Sequence, residues 1–292
     1  MVEAAPAPAP TASSLAAQVK SIPTLPAVLT ILSRRMEDPK TSSEDLAQVI
    51  VQDQAIASKV LKLVNSPFYG FSGRIQSISQ GIVILGFNAV KNLVLSTSVI
   101  DAFRGASSGD LFRMDTLWVH SAAVATTAKL FAERTRICDP EDAFVGGLLH
   151  DIGKVLLWTS EPRLFSACLQ VVVQKGAPLA EVETRILGFQ DQELAALLAE
   201  KWKFPESLRV ALRWRGTPSQ AGSHTGLAQT IHCANLLCTA MDAPAHPGSR
   251  VSPPDPEAWK ACGLDDDAIL TEIVKELPQR LASAKSFVST AL

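Results

Sequence analysis

Tyrosine occurs once in this chain, and aromatic residues of all kinds make up only 6% of it. Strands favour aromatic and β-branched residues, so this scarcity works against a sheet, while the abundant Ala and Leu favour helix. Cysteine is sparse too: five residues, at 138, 168, 233, 238 and 262, with no CxxC pair. An odd count without paired spacing argues against a disulfide framework and against a zinc ribbon. Cys233 and Cys238 fall in an apolar helical stretch and read as small core residues. Neither sign of charge is in excess: 27 basic and 29 acidic side chains leave a net charge of −2. A non-specific nucleic-acid binder usually carries a basic surplus, so that class is disfavoured. No run approaches the roughly 18 apolar residues of a membrane span, so no membrane insertion is expected. The first residues lack the basic and apolar blocks of a secretory signal. A cytoplasmic location is the expectation.

What is present is globular in composition: 47% of the 292 residues are hydrophobic and 19% charged. Residues 1–14 alternate Pro and Ala and read as a flexible tail with nothing to bury. Five prolines in 243–256 read as a linker. Between these breaks the pattern is helical throughout. Ile56, Val60, Leu63 and Val64 share one helix face. Ser42 with Asp45, or Thr41 with Glu44, offers a capping box. Asp139-Pro140-Glu141-Asp142 supplies a cap, a first-turn proline and acids facing the helix dipole. Asp265-Asp266-Asp267 opens a helix to Leu277, and Pro278 is expected to start another. The expectation is an all-α chain. Residues 42–65 also have the outline of a helix-turn-helix, but the outward residues Gln54, Ser58, Lys59, Lys62 and Asn65 are too few and too mixed for a DNA-reading face.

Of the five histidines, only His150 adjoins a carboxylate, in Gly147-Leu-Leu-His-Asp-Ile-Gly-Lys154. Neighbouring side chains on a helix point about 100° apart. His150 and Asp151 meet on one ion only if the helix ends or bends, and Gly153 is a plausible bend. His120 lies on the preceding long helix, where an antiparallel return would bring it alongside. Imidazole with carboxylate suits Fe, Mn or Zn, with open positions for a water that hydrolyses a phosphoester. Lys154 could hold the phosphate. The competing interpretation is a buried polar knot in which these side chains bond one another and the backbone. His224 and His246, in polar or Pro-rich loops, carry no signal.

The motif around His150, preceded by Trp118-Val-His-Ser121, resembles the HD phosphohydrolase superfamily. The upstream segments resemble the HDOD family, the HD-related output domain. These are Ile22-Pro23-Thr24-Leu25-Pro26, Asp53-Gln54-Ala55, Leu63-Val64-Asn65-Ser66 with Tyr69-Gly70, Ile78-Ser79-Gln80-Gly81-Ile82 and Leu85-Gly86. The resemblance covers about residues 20–240. It implies an N-terminal helical bundle over 15–107 and an HD-like core over 108–242, together one HDOD domain over 15–242. The 243–256 linker and a helical extension over 257–292 follow. It also implies a bacterial signalling protein in which an incomplete metal site, not catalysis, is the rule.

Departures from active HD enzymes are specific. His120, His150 and Asp151 match three ligand positions, but Asn235 stands at the later Asp, and a neutral amide binds a divalent ion less strongly. HD-GYP relatives add histidines where this chain has Asp191 and Arg215-Gly216, and their signature is absent. Asp191 could substitute as a ligand, and Arg215 could contact a phosphate directly. The resemblance therefore implies no cofactor, or at most a divalent metal (Fe, Mn or Zn). It points to a non-catalytic output or scaffold protein that binds a signalling partner in trans, such as a histidine kinase, a response regulator or a cyclic-di-GMP enzyme. The alternatives are a metal-dependent phosphohydrolase of a nucleotide or cyclic dinucleotide and, third, a nucleic-acid-binding regulator.

Overall fold

The computed structural model describes residue 11 and residues 25–36, 38, 40–69, 71, 73–106, 108–241 and 243–291. The expected tail over 1–14, apart from Thr11, lies outside the described residues, as do Ile22, Pro23, Thr24 and Gly70 of the family-like segments. The fold is all-α, and no strand occurs among the described residues.

Among the described residues, five helices form the first half: α1 (Ala27–Met36), α2 (Ser43–Val51), α3 (Gln54–Val64), α4 (Ile78–Leu85) and α5 (Phe87–Ala102). Their ends are set locally. Ser42 and Asp45 form the capping box of α2, and Asp53 accepts from the amides of Ala55 and Ile56 to start α3. Gly86, at φ 85°, closes α4 and opens α5 in a conformation costly for other residues. The apolar stripe of α3 is buried as expected. Asn65, just past it, is a clamp. Its Nδ2 donates to the carbonyls of Leu61 and Ile75, and its Oδ1 accepts the Ile75 amide, each at 2.8 Å. The side chain thus ties Ile75 to the end of α3. Lys59 is paired with Asp101 of α5. Two of the five side chains of the helix-turn-helix outline are therefore engaged within the fold.

The second half is built on α6 (Met114–Thr135), the axis of the core, with α7 (Pro140–Leu149) returning antiparallel along it. Gly147 makes the contact close: a Cβ there would lie 2.6 Å from Ala125 Cα. After α7 come α8 (Ile152–Ser160), α9 (Pro162–Lys175), α10 (Leu179–Leu187), α11 (Asp191–Lys201) and α12 (Glu206–Trp214). A 3-10 helix (Pro218–His224) leads to α13 (Thr225–Ala240), which packs on α6 and α7. Cys233 and Cys238 are core residues of α13.

Two expectations change at the C-terminal end. Residues 243–256, expected as a Pro-rich linker, touch the core at both ends, where Ala245 and His246 are buried and the Asp255 amide donates to His232 Nε2 at 3.3 Å, while Val251–Pro254 are exposed. The segment forms a strap: its prolines preclude helix, and the carbonyl of Ala243 faces His120. It leads to α14 (Pro256–Ala261) and α15 (Asp267–Ala291). Pro278 does not start a new helix; α15 runs straight through it. An interior proline costs about 3 kcal/mol. Burial of Ile273 and Leu277 before it, and of Ala284, Phe287 and Val288 after it, offsets that cost. The helix packs on both α6 and α3, joining the two halves. Phe287 packs between Phe68 and Phe144, and Arg134 of α6 pairs with Glu272 and Glu276 at 3.0 Å each. Among the described residues, no helix is long and apolar enough to cross a membrane.

Candidate functional site

The chain breaks between α7 and α8 at His150-Asp151. The expected bend at Gly153 is corrected by one short step: Gly153 lies inside α8, and the break falls before it. The glycine serves a different purpose. A Cβ on it would sit 1.9 Å from the Asp191 carbonyl oxygen, so its bareness lets the start of α11 touch α8. That contact brings Asp191 beside Asp151.

His120, His150 and Asp151 are 0–2% exposed, and one ligand atom from each lies within 4.8 Å of the others. His120 Nδ1 faces the Ala243 carbonyl at 2.5 Å, and His150 Nδ1 faces the Gly147 carbonyl at 2.7 Å. A carbonyl only accepts, so each Nδ1 carries the proton. Both Nε2 lone pairs then face the same space, 3.2 Å apart. They stand 3.7 Å and 3.4 Å from the Asp151 oxygens. As a donor set this fits three ligands of one Fe, Mn or Zn ion. Asn235 sits beside His120 as a hydrogen-bond partner, where it offers an amide in place of a carboxylate.

The charges are balanced without an ion. Lys154 Nζ donates to Asp151 Oδ2 at 2.8 Å, and Arg215 Nη2 reaches Asp151 Oδ1 at 3.4 Å and Asp191 Oδ2 more closely. Lys154 and Arg215, both candidate phosphate contacts, thus turn inward onto carboxylates. Burial works against the Asp151 carboxylate, but the surrounding positive charges outweigh it and hold the group well below the usual range. Burial pushes His150 down to about 3 and lowers His120 as well.

Two further groups, Glu183 and His246, lie near the centre. Glu183 of α10 is fully buried; its Oε2 accepts the Asp191 amide at 3.0 Å, and its Oε1 has no partner. Burial, and then the Asp191 charge, raise its carboxyl well above the ordinary value. Its one sequence signal is register: Leu179, Glu183 and Leu187 fall on one helix face, so a carboxylate lands on an apolar stripe. His246, on the strap, is 4% exposed and feels the charges of Lys154, Asp151 and His120. Nothing in its Pro-rich surroundings marks it. Burial, with Lys154 next, takes it down to about 4. A cavity of about 300 Å³ adjoins His120, walled by Asp115, Thr116 and Val119 of α6, by Ala243 and Pro244, and by Leu281 and Lys285 of α15.

These shifts set a pH dependence. Between pH 6.5 and about 4 the unfolded chain protonates its histidines while folded His150 and His246 stay neutral, so the unfolded state binds more protons. Stability is expected to fall as pH drops through that window. Glu183 acts oppositely above its unfolded value of 4.5, but one carboxyl is outnumbered by the depressed imidazoles. Thermal melts from pH 7.5 to 4.5 check this, with a His246→Gln chain showing a shallower decline.

Comparison with known proteins places the chain among relatives of like fold. The HDOD domain family matches residues 22–218. A crystal structure of an HDOD domain protein of unknown function from Geobacter sulfurreducens is 23% identical, with a TM-score of 0.82 over 94% of this chain and 96% of that one. A Shewanella amazonensis SB2B protein, provisionally named a phosphohydrolase, is 22% identical, with a TM-score of 0.75 over 95% of this chain and 98% of that one. An uncharacterized protein of Treponema pallidum (strain Nichols) is 27% identical over 236 residues. That alignment takes in 79% of this chain and 45% of the Treponema protein, so the chain spans less than half of that curated relative's length.

Proposed function

Because this chain belongs to the HDOD family, related to HD phosphohydrolases and to signal-transduction proteins, we propose that it acts without catalysis, as a cytoplasmic signalling component that binds a partner protein in trans. A histidine kinase, a response regulator or a cyclic-di-GMP enzyme is the partner class that the family suggests. One observation carries the non-catalytic reading. The carboxylate that would hold a metal, Asp151, already has Lys154 on one oxygen and Arg215 on the other, in a centre at most 2% exposed. A divalent ion would have to displace those contacts, and Asn235 brings no charge to help it.

A second reading, a metal-dependent phosphohydrolase acting on a nucleotide or cyclic dinucleotide, is favoured by the two facing Nε2 lone pairs. His120, His150 and Asp151 would hold the ion, which would supply an activated water when bound. The chain's own residues would set its geometry, since the Ala243 and Gly147 carbonyls fix both ring tautomers.

Purified untagged protein is expected to carry well under one equivalent of Fe, Mn or Zn. It is also expected to turn over neither an aryl phosphodiester nor cyclic di-GMP with added Mn²⁺, while purified candidate partners bind it saturably. Turnover that disappears in both His150→Ala and Asp151→Ala would select the hydrolase. Failure of all three partner classes to bind would remove the scaffold reading.

A further inference from the structure

Lys62 of α3 and Arg74, ahead of α4, are exposed cations with no carboxylate paired to them among the described residues. The neighbouring cations differ. Lys59, one turn before Lys62, is paired with Asp101, and Arg104 reaches both Asp101 and the Ala291 carbonyl. Lys62 and Arg74 instead line one groove of about 790 Å³, against about 300 Å³ for the cavity beside His120. The groove runs between α3, residues 74–76 and the last turn of α15, where Ser289 and Thr290 form a wall. Its floor is apolar: Ile75 is buried and Leu61 half-buried. No carboxylate is among its described lining residues. Its walls are held from behind. Asn65 ties Ile75 to α3, α15 packs on α3, and Arg104 holds the Ala291 carbonyl at 3.1 Å. A groove held in this way needs little ordering when a ligand enters.

We infer that this groove is a docking surface for an acidic peptide segment of a partner protein, with Lys62 and Arg74 pairing its carboxylates and Leu61 and Ile75 receiving an apolar side chain between them. Cations without acids beside them attract an anionic partner, and the volume suits several side chains of a peptide rather than a lone ion. Two cations fall short of the basic stripe that a nucleic-acid strand needs, and the chain's net charge is −2. Ion pairs at an exposed rim set orientation and encounter rate and weaken with salt, whereas the apolar floor adds contact that salt does not screen. Three outward residues of the helix-turn-helix outline, Ser58, Lys62 and Asn65, thereby gain a use other than reading DNA. The inference deepens the partner-binding reading and rests on it, and none of the groove's lining residues belongs to the His120–Asp151 centre.

The probe is a short fluorescein-labelled peptide of glutamates around a central leucine, read by anisotropy at low salt. Wild type should bind it saturably, and affinity should fall several-fold as salt is raised to about 0.15 M. Lys62→Glu/Arg74→Glu should weaken binding by about tenfold or more. Both side chains are exposed, so this variant should melt like wild type. Lys175→Glu/Lys201→Glu makes an equal change of charge at exposed positions outside the groove and should bind within about threefold of wild type. No saturable binding by wild type, or an equal loss in both double variants, would overturn the inference. Tighter binding of a single-stranded oligonucleotide, with the same dependence on Lys62 and Arg74, would assign the groove to phosphates and overturn it as well. Purified candidate partners are tested on the same variants. If none binds wild type, the partner reading fails while the peptide result stands on its own. If one binds wild type and Lys62→Glu/Arg74→Glu equally, the partner reading survives and this docking surface falls.

Discussion

Gly153→Ala is expected to lower stability by about 3 kcal/mol or more. The added methyl would meet the Asp191 carbonyl oxygen at 1.9 Å, its carbon at 2.7 Å and the Ala195 amide at 3.1 Å. All three are backbone atoms, so relief requires α8 and α11 to separate rather than a side chain to turn. Separation would also pull Asp191 and its Arg215 contact away from Asp151. Since whole domains are stable by only about 5–15 kcal/mol, partial unfolding or poor solubility is within range. Urea titration followed by far-ultraviolet circular dichroism reads the loss. Gly73→Ala is the control: that position is exposed and nothing lies within 4 Å of the added methyl. Similar midpoints for the two variants would mean that the α8–α11 contact is looser than described.

Asp151→Ala is expected to cost about 3–5 kcal/mol, more than His150→Ala. Without the carboxylate, Lys154 loses its ion-pair partner and buried Arg215 keeps Asp191 alone. His150→Ala removes a neutral ring and its bond to the Gly147 carbonyl and leaves no unpaired charge. The order of the two costs separates two roles for the centre. In a charge cluster the carboxylate dominates. In a metal-dependent centre all three ligands cost alike, and a chelator lowers wild type to the level of the variants. Denaturation of His120→Ala, His150→Ala and Asp151→Ala, each with and without chelator, gives the comparison.

Much of this was legible from residue order alone, for reasons confined to short stretches of chain. The capping pair Ser42–Asp45, the Asp139-Pro140 start and the face formed by Ile56, Val60, Leu63 and Val64 are local signals, because a cap or a stripe is complete within a turn or two. The His120, His150 and Asp151 set was readable because motif spacing and a helix return suffice to bring them together. The all-α class followed from the poverty in tyrosine and the absence of alternating segments.

Other features were decided only when distant elements packed. Pro278 breaks an isolated helix, yet α15 continues because its two halves bury Leu277 and Phe287 against α6 and the Phe68–Phe144 cluster. Prolines marked 243–256 as a spacer, but the partner of the Ala243 carbonyl is an imidazole 123 residues away. Gly153 read as a hinge because a missing side chain looks the same whether it frees the backbone or admits a neighbour. Residue order names the candidate groups: His120, His150, Asp151, Lys154, Asp191 and Arg215. Whether a carboxylate faces an ion, a substrate or an arginine depends on which helix end the fold lays beside it. Here tertiary packing set Arg215 against Asp151 and Asp191, and a constellation suited to holding a metal became one that carries its own cations.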